Sequence, residues 1–181
     1  MRVLKSAALA AILLAPATSA LAQTADAAMG FQPYATLGYS HLHESDADLD
    51  IGSITGRFGA KITPYFGAEV EGAFGVLGTE YRLGAAEVEV HLNYEVAGYA
   101  VGFLPLNDQF ELFARVGYGT QELKFKSGGV SETDSEESVN FGGGLSYFWS
   151  PTMGVRGGYT RHEFDGGGGT NVFDIAAVFR F

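Results

Sequence analysis

The chain has 181 residues, no cysteine, 11 basic against 21 acidic side chains and a formal net charge of −10. That length holds one domain and leaves no room for a separate catalytic module, while the missing thiols exclude a disulfide framework and thiolate chemistry. The acidic balance excludes the basic stripe that nucleic acid requires.

Residues 1–22 read as a secretory leader. Arg2 and Lys5 give a positive start, Ala7 to Ala17 an apolar middle, and Ala20-Leu21-Ala22 a small-x-small cleavage site before Gln23. The apolar middle is shorter than the ~20 residues a spanning helix needs, so the leader is expected to be removed rather than kept as an anchor. Its loss leaves nine basic against 21 acidic residues, a charge of −12 on an exported chain. Residues 23–30 read as a short periplasmic lead-in and 31–181 as one barrel domain.

Beyond the leader no apolar run reaches helical spanning length, yet 26 glycines, 14 phenylalanines and nine tyrosines recur in short segments. Alternating segments of about ten residues separated by turn chemistry are the mark of a membrane β-barrel. The first predicted strand, Phe31 to Leu42, sets Ala35, Leu37 and Tyr39 against Thr36, Gly38 and Ser40; a hydrophilic loop, His43 to Asp50, follows. The second, Ile51 to Ile62, sets Ile54, Phe58, Ala60 and Ile62 against Thr55, Arg57, Gly59 and Lys61, and ends at Thr63-Pro64-Tyr65, a turn suited to proline. The third, Phe66 to Gly75, sets Phe66, Ala68, Val70 and Phe74 against Gly67, Glu69 and Glu71. Reflecting this hairpin about Pro64 places Arg57 opposite Glu71 on the polar face.

A longer loop, Val76 to Ala85, leads into Ala86 to Phe103, where Val88, Val90, Leu92, Tyr94 and Val96 alternate with Glu87, Glu89, His91, Asn93 and Glu95. Past Gly98 the polar residues stop, and the faces there require a bulge. After the turn at Leu104 to Gln109, the strand Phe110 to Leu123 sets Phe110, Leu112, Ala114, Val116 and Tyr118 against Glu111, Arg115, Gly117 and Gly119. A long polar loop containing Ser131 to Ser138 precedes Val139 to Trp149, where Phe141, Leu145, Tyr147 and Trp149 oppose Asn140, Gly142, Gly144 and Ser146. The turn Ser150-Pro151-Thr152 opens Met153 to Glu163, with Arg156 and Thr160 on the polar side, and a glycine-rich loop, Asp165 to Gly169, precedes the last strand. There Phe173, Ile175, Ala177, Phe179 and Phe181 share one face, opposite Asp174 and Arg180. An apolar edge of this kind suits a closed barrel better than a soluble sheet, because an unpaired flat strand recruits other strands.

Eight segments result, with long polar connections near 43, 76, 126 and 165 and short ones near 63, 104 and 150 that carry proline. The expected fold is all-β, an eight-stranded antiparallel up-and-down transmembrane barrel with its long loops external and both termini periplasmic.

Four stretches carry a family resemblance: T-P-Y-F-G-A-E at 63–69, P-L-N-D-Q-F-E-L-F-A-R-V-G-Y-G at 105–119, Y-F-W-S-P-T-M-G-V-R-G-G-Y-T-R at 147–161, and the strand ending on Phe181. They resemble the small outer-membrane β-barrel proteins of Gram-negative bacteria, the OmpA-like and OmpX-like barrels often labelled porin-family. The resemblance implies a place in the cell outer membrane, as a monomer in contact with outer-membrane lipid and lipopolysaccharide. It also implies handling by periplasmic chaperones and the barrel-assembly machinery during biogenesis. Asp174, Ala176, Phe179 and Phe181 would fill the terminal-strand recognition signal for that machinery, with Ala176 where glycine is usual; the plain alternative is that they only face lumen and lipid.

Arg57, Glu69, Glu71, Arg115 and Arg156 lie on the polar faces at similar depth and are expected to form an ion-pair plug in a lumen just wide enough for side chains. The sharper alternative is a gate that rearranges to pass small ions, a weak pore. His41, His43, Asp46, Asp48 and Asp50 could hold a divalent cation but read more simply as solvated loop, so no metal and no cofactor is expected. His91 and His162 accompany no nucleophile motif, and no catalytic residue is expected. A soluble periplasmic lipocalin-like barrel is the rival reading, and an outer-membrane hydrolase or acyltransferase the third.

Overall fold

The computed structural model describes residues 30–44, 49–77, 79–83, 86–127 and 130–181. The leader and residues 23–29 of the lead-in lie outside the described residues. Nine strands follow in order: β1 (Gln32–Glu44), β2 (Leu49–Lys61), β3 (Phe66–Leu77), β4 (Thr79–Leu83), β5 (Ala86–Pro105), β6 (Phe110–Ser127), β7 (Val130–Phe148), β8 (Met153–Phe164) and β9 (Gly169–Arg180). All pairings are antiparallel: consecutive strands pair except β3 with β4, β1 pairs with β9, and β3 pairs with β5. β4 continues along the same edge of β5 that β3 occupies, so β3 and β4 are two pieces of one stave. The result is a closed eight-stranded antiparallel barrel.

Period-two alternation decides which side chains turn inward. Along β2 and β3, Thr55, Arg57, Lys61, Glu69 and Glu71 are buried, whereas Ile54, Phe58, Phe66, Val70 and Phe74 are exposed on the outside. Leu37 is 60% exposed and Ile175 61%, the inverse of a soluble core.

The three short turns share one device. Thr63, Asn107 and Ser150 each turn a side-chain oxygen back to accept the backbone N–H of the residue three ahead, Phe66 at 3.0 Å, Phe110 at 2.9 Å and Met153 at 3.0 Å. Each accepted N–H opens the next strand, so a Ser, Thr or Asn oxygen stands in for the ladder partner that the chain reversal removes. At the other rim the β8–β9 turn needs left-handed backbone at Gly167 (φ +91°) and Gly168 (φ +85°), which glycine adopts at no steric cost.

Three expectations are corrected. Residues 79–83 of the expected Val76–Ala85 loop are strand, paired with β5 from Thr79↔Val90 to Leu83↔Ala86. The polar stretch before 139 is a hairpin paired up to Ser127↔Val130, not a loop. Hydrated strands need no apolar face to stay paired, so the alternation that marks a strand in the wall is missing there. Leu92 does not share the outward face of Val96: the β5–β6 register shifts between Leu92 and Tyr94, burying Leu92 and Glu95 and leaving Val96 exposed. One extra residue at Asn93 reverses every face after it.

Candidate functional site

The inward faces of β2, β3, β6, β8 and β9 bring six charged groups to the middle of the lumen. Arg57 and Glu71 are register partners on β2 and β3, and their side chains are ion-paired. Arg57 Nη1 also donates to Asp174 Oδ2 at 3.0 Å from β9. Arg115 Nη1, from β6, donates to Glu71 Oε2 at 2.7 Å and to Glu69 Oε1 at 3.2 Å, while its Nη2 donates to Thr160 Oγ1 at 2.6 Å. Arg156 Nη1 donates to Glu69 Oε2 at 2.9 Å, and its Nε to Ser146 Oγ at 3.2 Å. Three guanidinium groups thus face three carboxylates, each buried group having several charge-assisted partners.

Aromatic side chains complete the coordination. Tyr34 Oη donates to Glu69 Oε2 at 2.9 Å, and Tyr99 Oη donates to Glu71 Oε1 at 3.2 Å while accepting from Asn140 Nδ2 at 3.1 Å. The Arg115 guanidinium lies 4.4 Å from the centre of the Tyr99 ring and that of Arg156 4.4 Å from the Phe113 ring, a geometry in which the ring quadrupole attracts the cation. Tyr34, Tyr99, Val101, Phe103 and Phe113 form a buried apolar cluster beside the charges. Burial beside these rings lowers the local dielectric around the ion pairs, which strengthens them and raises the cost of breaking one.

Two further layers bracket this centre. Toward the short-turn rim, Lys61 is ion-paired with Glu111, Arg180 Nη2 reaches Glu111 Oε1 at 3.1 Å, and the Arg180 guanidinium sits 3.3 Å from the Phe148 ring centre. Toward the other rim, His162 Nδ1 faces Glu95 Oε1 at 3.6 Å. Level with that pair and toward the same rim, Leu42, Ile51, Ala73, Leu92 and Val172 pack into a second buried apolar cluster, with Leu123 against it. From the short-turn rim the lumen therefore runs charged, then aromatic and charged, then a layer in which the His162–Glu95 pair and the apolar cluster lie side by side.

All five residues expected in the plug meet in this network. Of the four expected in the terminal signal, Asp174 joins the same network, Ala176 is buried on the inward face, and Phe179 and Phe181 are exposed on the outward one. The sequence pattern assigns Asp174 to the terminal-strand signal rather than to Arg57, although its inward parity matches that of Glu69 and Glu71. Lys61, Glu111 and Arg180 carried the same polar-face signal. Tyr34, Tyr99 and Phe113 carried none, since an aromatic residue in a barrel strand reads first as lipid-facing.

His41 lies across from Phe173 and His43 from Asn171 on the neighbouring strand. Asp46 and Asp48, expected beside them, lie outside the described residues. No group of three or more metal-ligating side chains occurs among the described residues. His162 is buried in the lumen, 2% exposed and facing Glu95.

The chain is similar to several solved barrels. Ail, the attachment invasion locus protein of Yersinia pestis, solved in complex with the heparin analogue sucrose octasulfate, is 22% identical with a TM-score of 0.62, over 84% of this chain and 100% of that one. The Neisserial surface protein A is 13% identical with a TM-score of 0.55, over 83% of this chain and 96% of that one. The N-terminal β-barrel domain of Pseudomonas aeruginosa OprF is 15% identical with a TM-score of 0.55, over 84% and 98%. At such identities the likeness is one of fold. No curated protein matches the chain. The sequence model of the outer membrane protein beta-barrel domain matches residues 7–181, nearly the whole chain, and with the closed barrel described above it places the protein in that outer-membrane β-barrel family.

Proposed function

We propose that the protein is a non-enzymatic integral barrel of the cell outer membrane with a structural and surface role, its lumen closed by the arginine–carboxylate network and its long hairpins turned to the medium. One observation carries this reading. The outward face of the wall is an apolar band of exposed Leu, Ile, Val and Phe side chains, while Arg57, Glu69, Glu71, Arg115, Arg156 and Asp174 are all turned inside. Hydrocarbon is the solvent that this inversion fits. The plug makes a resting pore unfavourable, because a hydrated ion would have to replace several multiply bonded partners.

The hairpins are the part that meets other molecules. Their acidic run, Glu132 to Glu137, on a chain of net charge −10, favours cationic partners. The polyanion held in the Ail structure is therefore a poor guide to what this chain binds. Membrane fractionation tests the reading. The protein is expected to stay with the membrane pellet through carbonate and high-salt washes and to be released only by detergent; release without detergent would favour the soluble, ligand-holding barrel instead.

A further inference from the structure

Five outward positions fall on one hydrogen-bonded line across the wall: Phe66 on β3, Gly102 on β5, Ala114 on β6, Gly143 on β7 and Tyr159 on β8. The three in the middle are among the smallest residues, and the two at the ends are aromatic. The adjacent line toward the short turns carries Leu104, Leu112 and Leu145, and the adjacent line on the other side carries Val116 and Phe141. The small residues leave a groove of about 830 Å³ against the leucine ridge, lined on that side by Leu104, Leu112 and Leu145 and floored by the rings of Phe103 and Phe113 seen past the glycines.

The groove has the dimensions of a lipid tail. Strands stand ~4.8 Å apart, so the line from Phe66 to Tyr159 is roughly 19 Å long. It climbs obliquely, because hydrogen-bonded lines cross strands that themselves tilt by ~45°. Phe66 opens β3 at the rim of short turns, beside Tyr65. Tyr159 stands six residues beyond Met153, the start of β8. At ~3.4 Å per residue and ~45° tilt that is roughly 14 Å above the rim, close to the ~15 Å depth of one leaflet in a ~30 Å hydrocarbon core.

We propose that this groove is a binding site for a single phospholipid acyl chain of the periplasmic leaflet, entering beside Phe66 and ending against Tyr159. The inference rests on the membrane reading above. A flat partner such as the wall of a second copy would span the Leu and Val/Phe ridges and leave the floor without contacts, forfeiting dispersion energy. A hydrocarbon tail is narrow enough to touch the floor along its whole length.

Two positions can be filled without disturbing the wall. A Cβ at Gly102 meets nothing nearer than Tyr65 O at 3.9 Å. Ala114 already carries one. Gly98, also on β5 and outside the groove, has nothing within 4 Å of an added Cβ and serves as the control. The purified protein is inserted in nanodiscs of palmitoyl-oleoyl phosphatidylethanolamine and phosphatidylglycerol, insertion is verified by heat-modifiable gel mobility, and native mass spectrometry counts the lipids retained after release. The wild type and Gly98→Leu are expected to hold one lipid to activation energies that strip all others, and Gly102→Leu and Ala114→Leu to lose it. Equal retention in all four proteins overturns the groove as a site. So does a dimer that Gly102→Leu abolishes, which would assign the groove to a second copy. Failure of the wild type to insert would instead overturn the membrane reading, and the groove with it.

Discussion

Arg57 and Glu71 stand directly opposite each other on adjacent strands, and neither belongs to the other alone: Arg57 also binds Asp174, and Glu71 also accepts from Arg115. The two residues are thus the hinge of a network that ties β2 and β3 to β6 and β9 across the lumen. Because truncating one member strands a charge in a buried site, each of Arg57→Leu and Glu71→Leu is expected to cost about 3–5 kcal/mol. The double variant is expected to cost less than the sum by about 1–3 kcal/mol, since each substitution removes the group the other leaves unpaired. Urea unfolding in micelles, followed by the fluorescence of the single Trp149, reads all four corners of the cycle. Strict additivity would show that the pair is not coupled.

Two buried layers fill the lumen, the charge network and an apolar cluster, and together they bear on what variants of the proposed plug do to conductance. Arg115→Ala and Glu71→Ala each open space among the charges, but the cluster of Leu42, Ile51, Ala73, Leu92 and Val172 still lies between that space and the long-hairpin rim. Apolar constrictions stop ions by excluding water. In planar bilayers both single variants are expected to be silent, like the wild type, and Glu71→Ala combined with Leu42→Ser and Leu92→Ser is expected to conduct. Current from Glu71→Ala alone would mean that the apolar cluster is no barrier.

Tyr99 reaches Glu71 only because Gly117 leaves it room. A Cβ at Gly117 would stand 2.1 Å from Gly98 O and 2.6 Å from Tyr99 Cδ1, so the ring and its hydroxyl would have to move off Glu71 and Asn140. Gly117→Ala is expected to destabilise by about 1–3 kcal/mol, the usual cost of overpacking. Gly98→Ala, with open space at its Cβ, is expected to stay within about 0.5 kcal/mol of the wild type in the same urea titration.

How far the fold could be read from the sequence follows from where burial leaves a trace. Strands such as β3, with Phe66, Ala68, Val70 and Phe74 against Gly67, Glu69 and Glu71, separate lipid from lumen in every residue, so their faces and the Arg57–Glu71 register were legible. At Asn93 the trace misleads. Leu92 and Val96 are both apolar, and nothing in a run of alternating residues marks the inserted one that puts Leu92 in the lumen and Val96 outside. The β6–β7 hairpin above the wall was lost for the opposite reason, since Ser, Thr, Asp and Glu paired in water carry no alternation. Within the plug, charge made Arg115 and Glu69 visible; Tyr34 and Tyr99, which hold the same carboxylates by their hydroxyls, were hidden by their rings.

The terminal strand separates a role in assembly from a role in packing. Phe181 donates its backbone N–H to Pro33 O at 3.0 Å, closing the seam with β1, but its side chain is 63% exposed and contributes little to the folded barrel's interior. Phe179 is more sheltered at 37%. If the pattern Asp174, Ala176, Phe179, Phe181 is read by the barrel-assembly machinery, Phe181→Ala should lower the yield of folded barrel in cells several-fold. The same variant refolded in micelles should keep its urea midpoint, because a surface substitution away from caps and cores costs about 0.5 kcal/mol or less. Measuring both quantities on one protein separates the two roles: parallel losses would make Phe181 a packing residue, whereas a loss confined to cells assigns it to recognition. Asp174→Asn is expected to fail in both settings, since it takes a carboxylate from Arg57 inside the plug.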